Sequence, residues 1–183
     1  VAYQLYRKSS EMLGQTVLDE STDLIFYIIG GQAFNGSTLE ERGIGGSESS
    51  LIYITRELAK LGYRIKVFTQ CDKPGNYDGI DYHDLVDFYT YKFFNHIKTF
   101  ISVRSIKPFQ VGVNADTKIL WIHDNPNVEL SPEIIQNLNK IFAISEWQKK
   151  QWQNEYNIES SKFSIIPNGI DTNIWKSNET QEI

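Results

Sequence analysis

The run Gly43-Ile44-Gly45-Gly46-Ser47-Glu48 sets glycines at the start of an amphipathic stretch, and the chemistry available to such a junction is anion binding. The first four amide N–H groups of a helix have no partner within it. The helix dipole is positive at that end, and glycine removes the side chains that would hold a phosphate off the backbone. Two phosphate-binding signatures fail here. The dinucleotide fingerprint needs a third glycine where Glu48 stands, and a tight turn directly off a strand where a polar stretch over 32–42 intervenes. A Walker A loop needs Gly-Lys-Ser/Thr, which does not follow. Gly45, Gly46, Ser47 and Glu48 therefore read as a contact to a phosphate or sugar, in preference to a merely flexible entry loop.

Further polar residues follow apolar runs at intervals along the chain. His123-Asp124-Asn125 comes after Leu120-Trp121-Ile122, Arg104 after Ile101-Ser102-Val103, Ser145-Glu146-Trp147 after a short apolar run, and Pro167-Asn168-Gly169 after another. His123 suits a substrate contact, with a satisfied structural histidine as the alternative. Neighbours in an extended segment point to opposite sides, so Asp124 need not orient it, and a catalytic dyad does not follow from adjacency. Arg104 suits a carboxylate or phosphate partner, with a structural ion pair equally open. Asp72 reads as a loop-capping carboxylate, Glu146 as support for a helix start, and Asn168-Gly169 as a turn first and a binding element second. Among Trp121, Trp147, Trp152 and Trp175 there is room for one sugar-stacking ring, although core packing is the commoner use. His83, His96 and His123 show no metal-ligand spacing, so no metal site is expected.

These residues need a scaffold that brings strand ends together. Residues 24–29 form a β-branched and aromatic run ending at Gly30-Gly31, as expected of a strand buried on both faces. Leu51, Ile54, Leu58 and Leu61 repeat at helical spacing until Gly62, and 64–69 supply the next strand, which completes a βαβ unit. Further strands are expected over 79–83, 99–103, 118–122, 140–144 and 163–166. Helices are expected over 132–138, with Ser131 as N-cap, and from Ser145-Glu146 to Tyr156; residues 85–97 read as helix or irregular structure. Alternation of this kind implies a Rossmann-like α/β fold with a mostly parallel sheet flanked by helices, whose ligands sit beyond the carboxyl ends of the strands. Residues 1–22 carry a loose helical pattern and read as an extension or the tail of a preceding segment.

Bulk properties narrow the class. A chain of 183 residues that is 40% hydrophobic and 22% charged suits one globular domain with a core of its own. A net charge of −5 gives no basic footprint for nucleic acid. The single cysteine, Cys71, read as a small half-buried residue ending a strand, excludes an intrachain disulfide framework and suits a reducing, cytoplasmic compartment. No apolar stretch approaches a membrane span, and the first residues given lack the charged-then-apolar order expected of a signal peptide. It begins at Val1, so we expect a piece of a longer protein.

In order, G-G-S-E-x-x-L, L-A-K-L-G-Y-R-I-K-V-F-T, I-S-V-R-S, I-L-W-I-H-D-N, K-I-F-A-I-S-E-W-Q-K-K and S-I-I-P-N-G-I-D-x-x-x-W resemble the N-terminal, acceptor-side half of retaining glycosyltransferases of family four, which have the two-Rossmann GT-B fold. The resemblance spans about 23–175. It implies that Gly45 and Gly46 lie near the donor diphosphate and reacting sugar, with Ser47 and Glu48 starting the helix, and that His123 contacts the donor sugar as the catalytic-site histidine. Arg104, Asp124, Ser145, Asn168 and Gly169 would line the acceptor side or cleft. Residues 167–171 would lead toward the second domain, with Trp175 where a phenylalanine is usual and 176–183 beginning the linker. The family's second domain, with its basic diphosphate contacts and its Glu, seven residues, Glu element, does not occur before Ile183. The resemblance further implies a nucleotide-diphosphate sugar as donor, a glycan or other hydroxyl as acceptor, retention at the anomeric carbon, and no required metal or cofactor. Without the second domain, the chain alone is expected to be inactive. Two alternatives are a non-catalytic Rossmann-like module that binds a sugar or protein, and an epimerase; the latter is disfavoured because no Tyr-x-x-x-Lys pair is present.

Overall fold

Alternate residues of the first apolar run serve two different cores. In a computed structural model that describes residues 22–169, β1 (Leu24–Ile28) sends Phe26 and Ile28 into one cluster with Leu51, Ile52 and Val67. It sends Ile25 and Tyr27 into another with Phe68, Phe88 and Phe100. Side chains alternate across a strand, so a strand apolar at every position must be covered on both faces. The helices do this.

After β1 come α1 (Thr38–Glu41) and α2 (Gly46–Lys60). Then follow β2 (Ile65–Thr69), β3 (Gly75–Tyr77), β4 (Ile80–Asp84), α3 (Leu85–Phe94) and β5 (Ile97–Val103). The rest runs α4 (Lys107–Gln110), β6 (Ala115–Trp121), α5 (Pro132–Asn137), β7 (Lys140–Ala143), α6 (Glu146–Tyr156) and β8 (Phe163–Ile165). Among the described residues, eight strands form one sheet in the order β3-β4-β2-β1-β5-β6-β7-β8. Every neighbouring pair is parallel except β3–β4. This is a single α/β domain with a mostly parallel sheet flanked by helices, as the alternation of elements implied. No helix among the described residues is long and apolar enough to cross a membrane.

Local signals account for several boundaries. Gly62, at φ +91°, ends α2 with a Schellman motif: its N–H donates to the Ala59 carbonyl at 2.9 Å, and the Tyr63 N–H to that of Leu58 at 3.2 Å. Ser131 and Ser145 cap α5 and α6 by accepting from the amides of Ile134 and Gln148. Residues 85–97, open between helix and irregular structure by sequence, resolve into α3 with Asp84 accepting from the Val86 amide as its N-cap, then two connecting residues and β5.

Three features differ from expectation. β5 and β6 begin at Ile97 and Ala115, ahead of the expected 99 and 118, because those two residues pair with each other. β3 had no sequence signal beyond the Asp78-Gly79 turn, whose positive φ values of 53° and 80° suit a two-residue hairpin loop. A three-residue strand beginning Gly-Asn offers no alternation to read. Cys71 is buried rather than half-buried and lies just past β2; burial pushes its thiol up to about 11. The N-terminal extension, Trp175 and the linker beginning at 176 lie outside the described residues.

Candidate functional site

The connections place a crevice between β1 and β5. The chain leaves β1 through α2 toward β2 on one side, while β5, on the other flank of β1, continues to β6. At such a reversal the loops beyond the strand ends diverge and leave room for a ligand. Gly30-Gly31, the start of α2, Arg104 and His123 all lie beyond the carboxyl ends of β1, β5 and β6.

The glycine junction is built around Glu48. Gly45 is the N-cap of α2 with no side-chain cap, and its carbonyl accepts the first helical bond from the Ser49 amide at 2.9 Å. The amides of Gly46, Ser47 and Glu48 therefore have no partner within the helix. Glu48 is only 2% exposed. A β-carbon added at Gly31, where φ is +78°, or at Gly45 would run into the Glu48 carboxylate. Gly31 and Gly45 are thus explained by the protein itself. Gly46 is not: a β-carbon there would meet nothing within 4 Å, so a side chain would project into open space where the helix end presents its amides.

Arg104 joins this junction to the end of β6. It has a left-handed backbone, φ 65°, unusual for a residue with a side chain. Its amide donates to the Trp121 carbonyl at 2.9 Å. Its guanidinium donates through Nε to Asp124 Oδ2 at 2.7 Å and lies 3.6 Å from Glu48 Oε1. The structural ion pair left open by sequence is present, and Asp124 is engaged by Arg104. The Asp124 carbonyl is fixed in turn, accepting from Gln148 Nε2 at 3.2 Å and Trp152 Nε1 at 3.0 Å. Sequence reasoning assigned no role at the site to Gln148 and considered Trp152 only as one of four rings for sugar stacking; the signal for their actual role was the spacing of four residues that puts both on one face of α6.

His123 packs against Trp121, ring centroids 4.7 Å apart, and its Nε2 is buried with no hydrogen-bond partner among the described residues. Burial pushes its pKa down to about 4; Asp124 pulls it up and Arg104 adds to the fall. At neutral pH the imidazole is uncharged, so it can donate or accept a hydrogen bond without bringing charge into the crevice.

Asn168 and Gly169 reach the outer side of the junction, where they line a 570 Å³ cavity with Gly46, Ser49 and Tyr53. Ser145 spends its hydroxyl as the cap of α6. Asp72 holds a loop, accepting from Asn35 Nδ2 at 2.8 Å, as its sequence reading had it. Trp121 and Trp152 are core residues at 4% exposure, while Trp147 is 60% exposed. A larger groove of 820 Å³ beside α5 contains none of these site residues. Volume alone does not mark the crevice; convergence of polar groups does.

No family model matches the sequence, and no curated protein is similar to it. Among solved structures, a glycosyltransferase from Rickettsia africae ESF-5 is similar with a TM-score of 0.53 at 11% identity, over 88% of this chain and 47% of that one. The chain spans about half the length of that structure. Identity this low shows the fold alone, which is a glycosyltransferase-like α/β fold.

Proposed function

We propose that this chain is the acceptor-side domain, over about 23–175, of a retaining GT-B glycosyltransferase of family four. In this reading the complete protein moves a sugar from a nucleotide-diphosphate sugar to an acceptor hydroxyl. One observation carries it: the amide-bearing start of α2 and the neutral imidazole of His123 flank the same switch-point crevice, with Arg104 between them.

Departure of a diphosphate builds negative charge, and fixed donors aimed at that charge are the main means of stabilising it. The amides at Gly46 and Ser47 supply part of this on the reading offered. His123 would hold a sugar hydroxyl, and the cavity beside Asn168 would take the acceptor. The side-chain charges of the crevice argue against activity in isolation. Arg104 is shared between two carboxylates, Glu48 and Asp124, so these groups do not supply the net positive charge a diphosphate needs. In this reading the cations come from a donor-binding domain, and no metal is required.

The test is product formation from a panel of nucleotide-diphosphate sugars, with anomeric configuration read by proton NMR. Residues 1–183 alone are expected to give no turnover. A protein joining them to a donor-binding domain is expected to give a retained product insensitive to chelator. Robust turnover by the isolated chain, inversion, or loss of activity on chelation would refute the corresponding part of the reading.

A further inference from the structure

Two buried indoles in this domain are treated differently. Trp152 and Trp121 are equally buried, each 4% exposed. Trp152 donates its Nε1 hydrogen to the Asp124 carbonyl at 3.0 Å, whereas Trp121 Nε1 is buried and has no hydrogen-bond partner among the described residues. An indole N–H in a core ordinarily finds an acceptor, because leaving it unpaired forfeits a bond it makes to water in the unfolded chain. Packing does not need this N–H, since a phenyl ring would fill most of the same space.

Trp121 ends β6, paired with Val103 of β5 and Phe142 of β7, and His123 stands two residues further along. Residues two apart in an extended chain share a side, and the two rings meet at 4.7 Å. His123 Nε2 is likewise buried without a partner among the described residues. Two unpaired nitrogens thus occur on adjoining rings, beside the crevice at the start of α2.

Their chemistry selects a ligand group. The indole nitrogen only donates, and a neutral imidazole nitrogen can accept. A single hydroxyl oxygen accepts from the indole while its own hydrogen goes to the imidazole, which satisfies both nitrogens with one atom. An anionic oxygen fits less well, because the Glu48 and Asp124 carboxylates border the same crevice and share one guanidinium. We propose that Trp121 is a specificity-determining contact that donates its indole hydrogen to a sugar hydroxyl shared with His123. This rests on the reading that the crevice receives a sugar. His123 is partly exposed and Trp121 is not, so the imidazole must turn aside for the hydroxyl to reach the indole.

The experiment follows the indole ¹H–¹⁵N resonances of the ¹⁵N-labelled 183-residue chain during titration with UDP-glucose, GDP-mannose and their methyl glycosides. The resonance missing from Trp121→Phe is expected to move downfield with sugar. Trp121→Phe is expected to bind about three- to tenfold more weakly, the usual range for one neutral hydrogen bond. Trp147→Phe, at an exposed position outside the crevice, is expected to leave binding unchanged. If sugars bind but the Trp121 resonance stays still, or Trp121→Phe binds as well as the wild type, the Trp121 proposal is overturned and the transferase reading stands. Trp121→Phe also removes buried ring volume and is expected to lose some stability on that account, so its urea midpoint serves to confirm that the variant is folded during the titration. If none of the sugars or sugar nucleotides binds to the 183-residue chain, the Trp121 proposal is overturned, while the transferase reading, which assigns donor binding largely to a further domain, stands or falls on its own turnover test.

Discussion

Acidification offers a direct test of the environment assigned to His123. The imidazole titrates at about 4 in the folded chain against an ordinary 6.5, so the fold favours its neutral form. The sign follows from linkage: the unfolded chain takes up the proton first, and stability present above pH 6.5 is lost as pH falls toward about 4. For a fully shielded group the loss between pH 7 and pH 5 works out at about 1.8 kcal/mol, and the partial exposure of this imidazole brings it to about 1 kcal/mol. Other groups titrate in the same range, so the informative quantity is a double difference. Urea unfolding is followed by circular dichroism at both pH values for the wild type and for His123→Gln, which has no ionisable group there. The wild type is expected to lose about 1 kcal/mol more than the variant over that interval. Equal losses would mean that the imidazole protonates as readily in the fold as in water, and the neutral, desolvated His123 on which the crevice chemistry depends would be wrong.

Three further outcomes follow from the same geometry. Gly62→Ala places a β-carbon at φ +91° and is expected to cost about 1 kcal/mol in thermal or urea unfolding; an unchanged midpoint would contradict the Schellman cap. Gly31→Ala combines a positive φ with a collision against the Glu48 carboxylate and is expected to cost about 2 kcal/mol, with the cost clearly smaller in a Glu48→Ala background; strict additivity would show that the two do not meet. Arg104→Ala leaves Glu48 buried without its cation and is expected to destabilise by about 2 kcal/mol, whereas Arg104→Ala with Glu48→Gln recovers part of that; no recovery would place the effect elsewhere.

Much of the scaffold was legible because it is written in short-range pattern. The apolar run at β1, the helical spacing of Leu51, Ile54 and Leu58, the stop at Gly62 and the caps Ser131 and Ser145 each depend on residues within a few positions. Local sterics and hydrogen bonds decide them. β3 escaped notice because its three residues carry no alternation, and the early starts of β5 and β6 because mutual pairing over a long sequence separation sets them. At the site, the glycine junction was found from its place at the start of an amphipathic stretch, and Arg104, His123 and Asp124 from their positions after apolar runs. Their connections were not found there. Arg104 could equally have faced a ligand or an ion pair until Glu48 and Asp124 were seen on either side of it.

The glycine junction and the two indoles mark the division. Composition and periodicity by themselves determined an α/β domain with parallel strands and a polar rim, because burial of every face of a strand requires covering helices. Only the tertiary structure decided that Gly31 and Gly45 exist to admit Glu48 while Gly46 lies open. The same holds for Trp152, which finds a carbonyl, and Trp121, which does not. Identical residue types took opposite roles because the three-dimensional fold sets their surroundings: Glu48 comes to Gly31 across 17 positions, and the Asp124 carbonyl comes to Trp152 across 28.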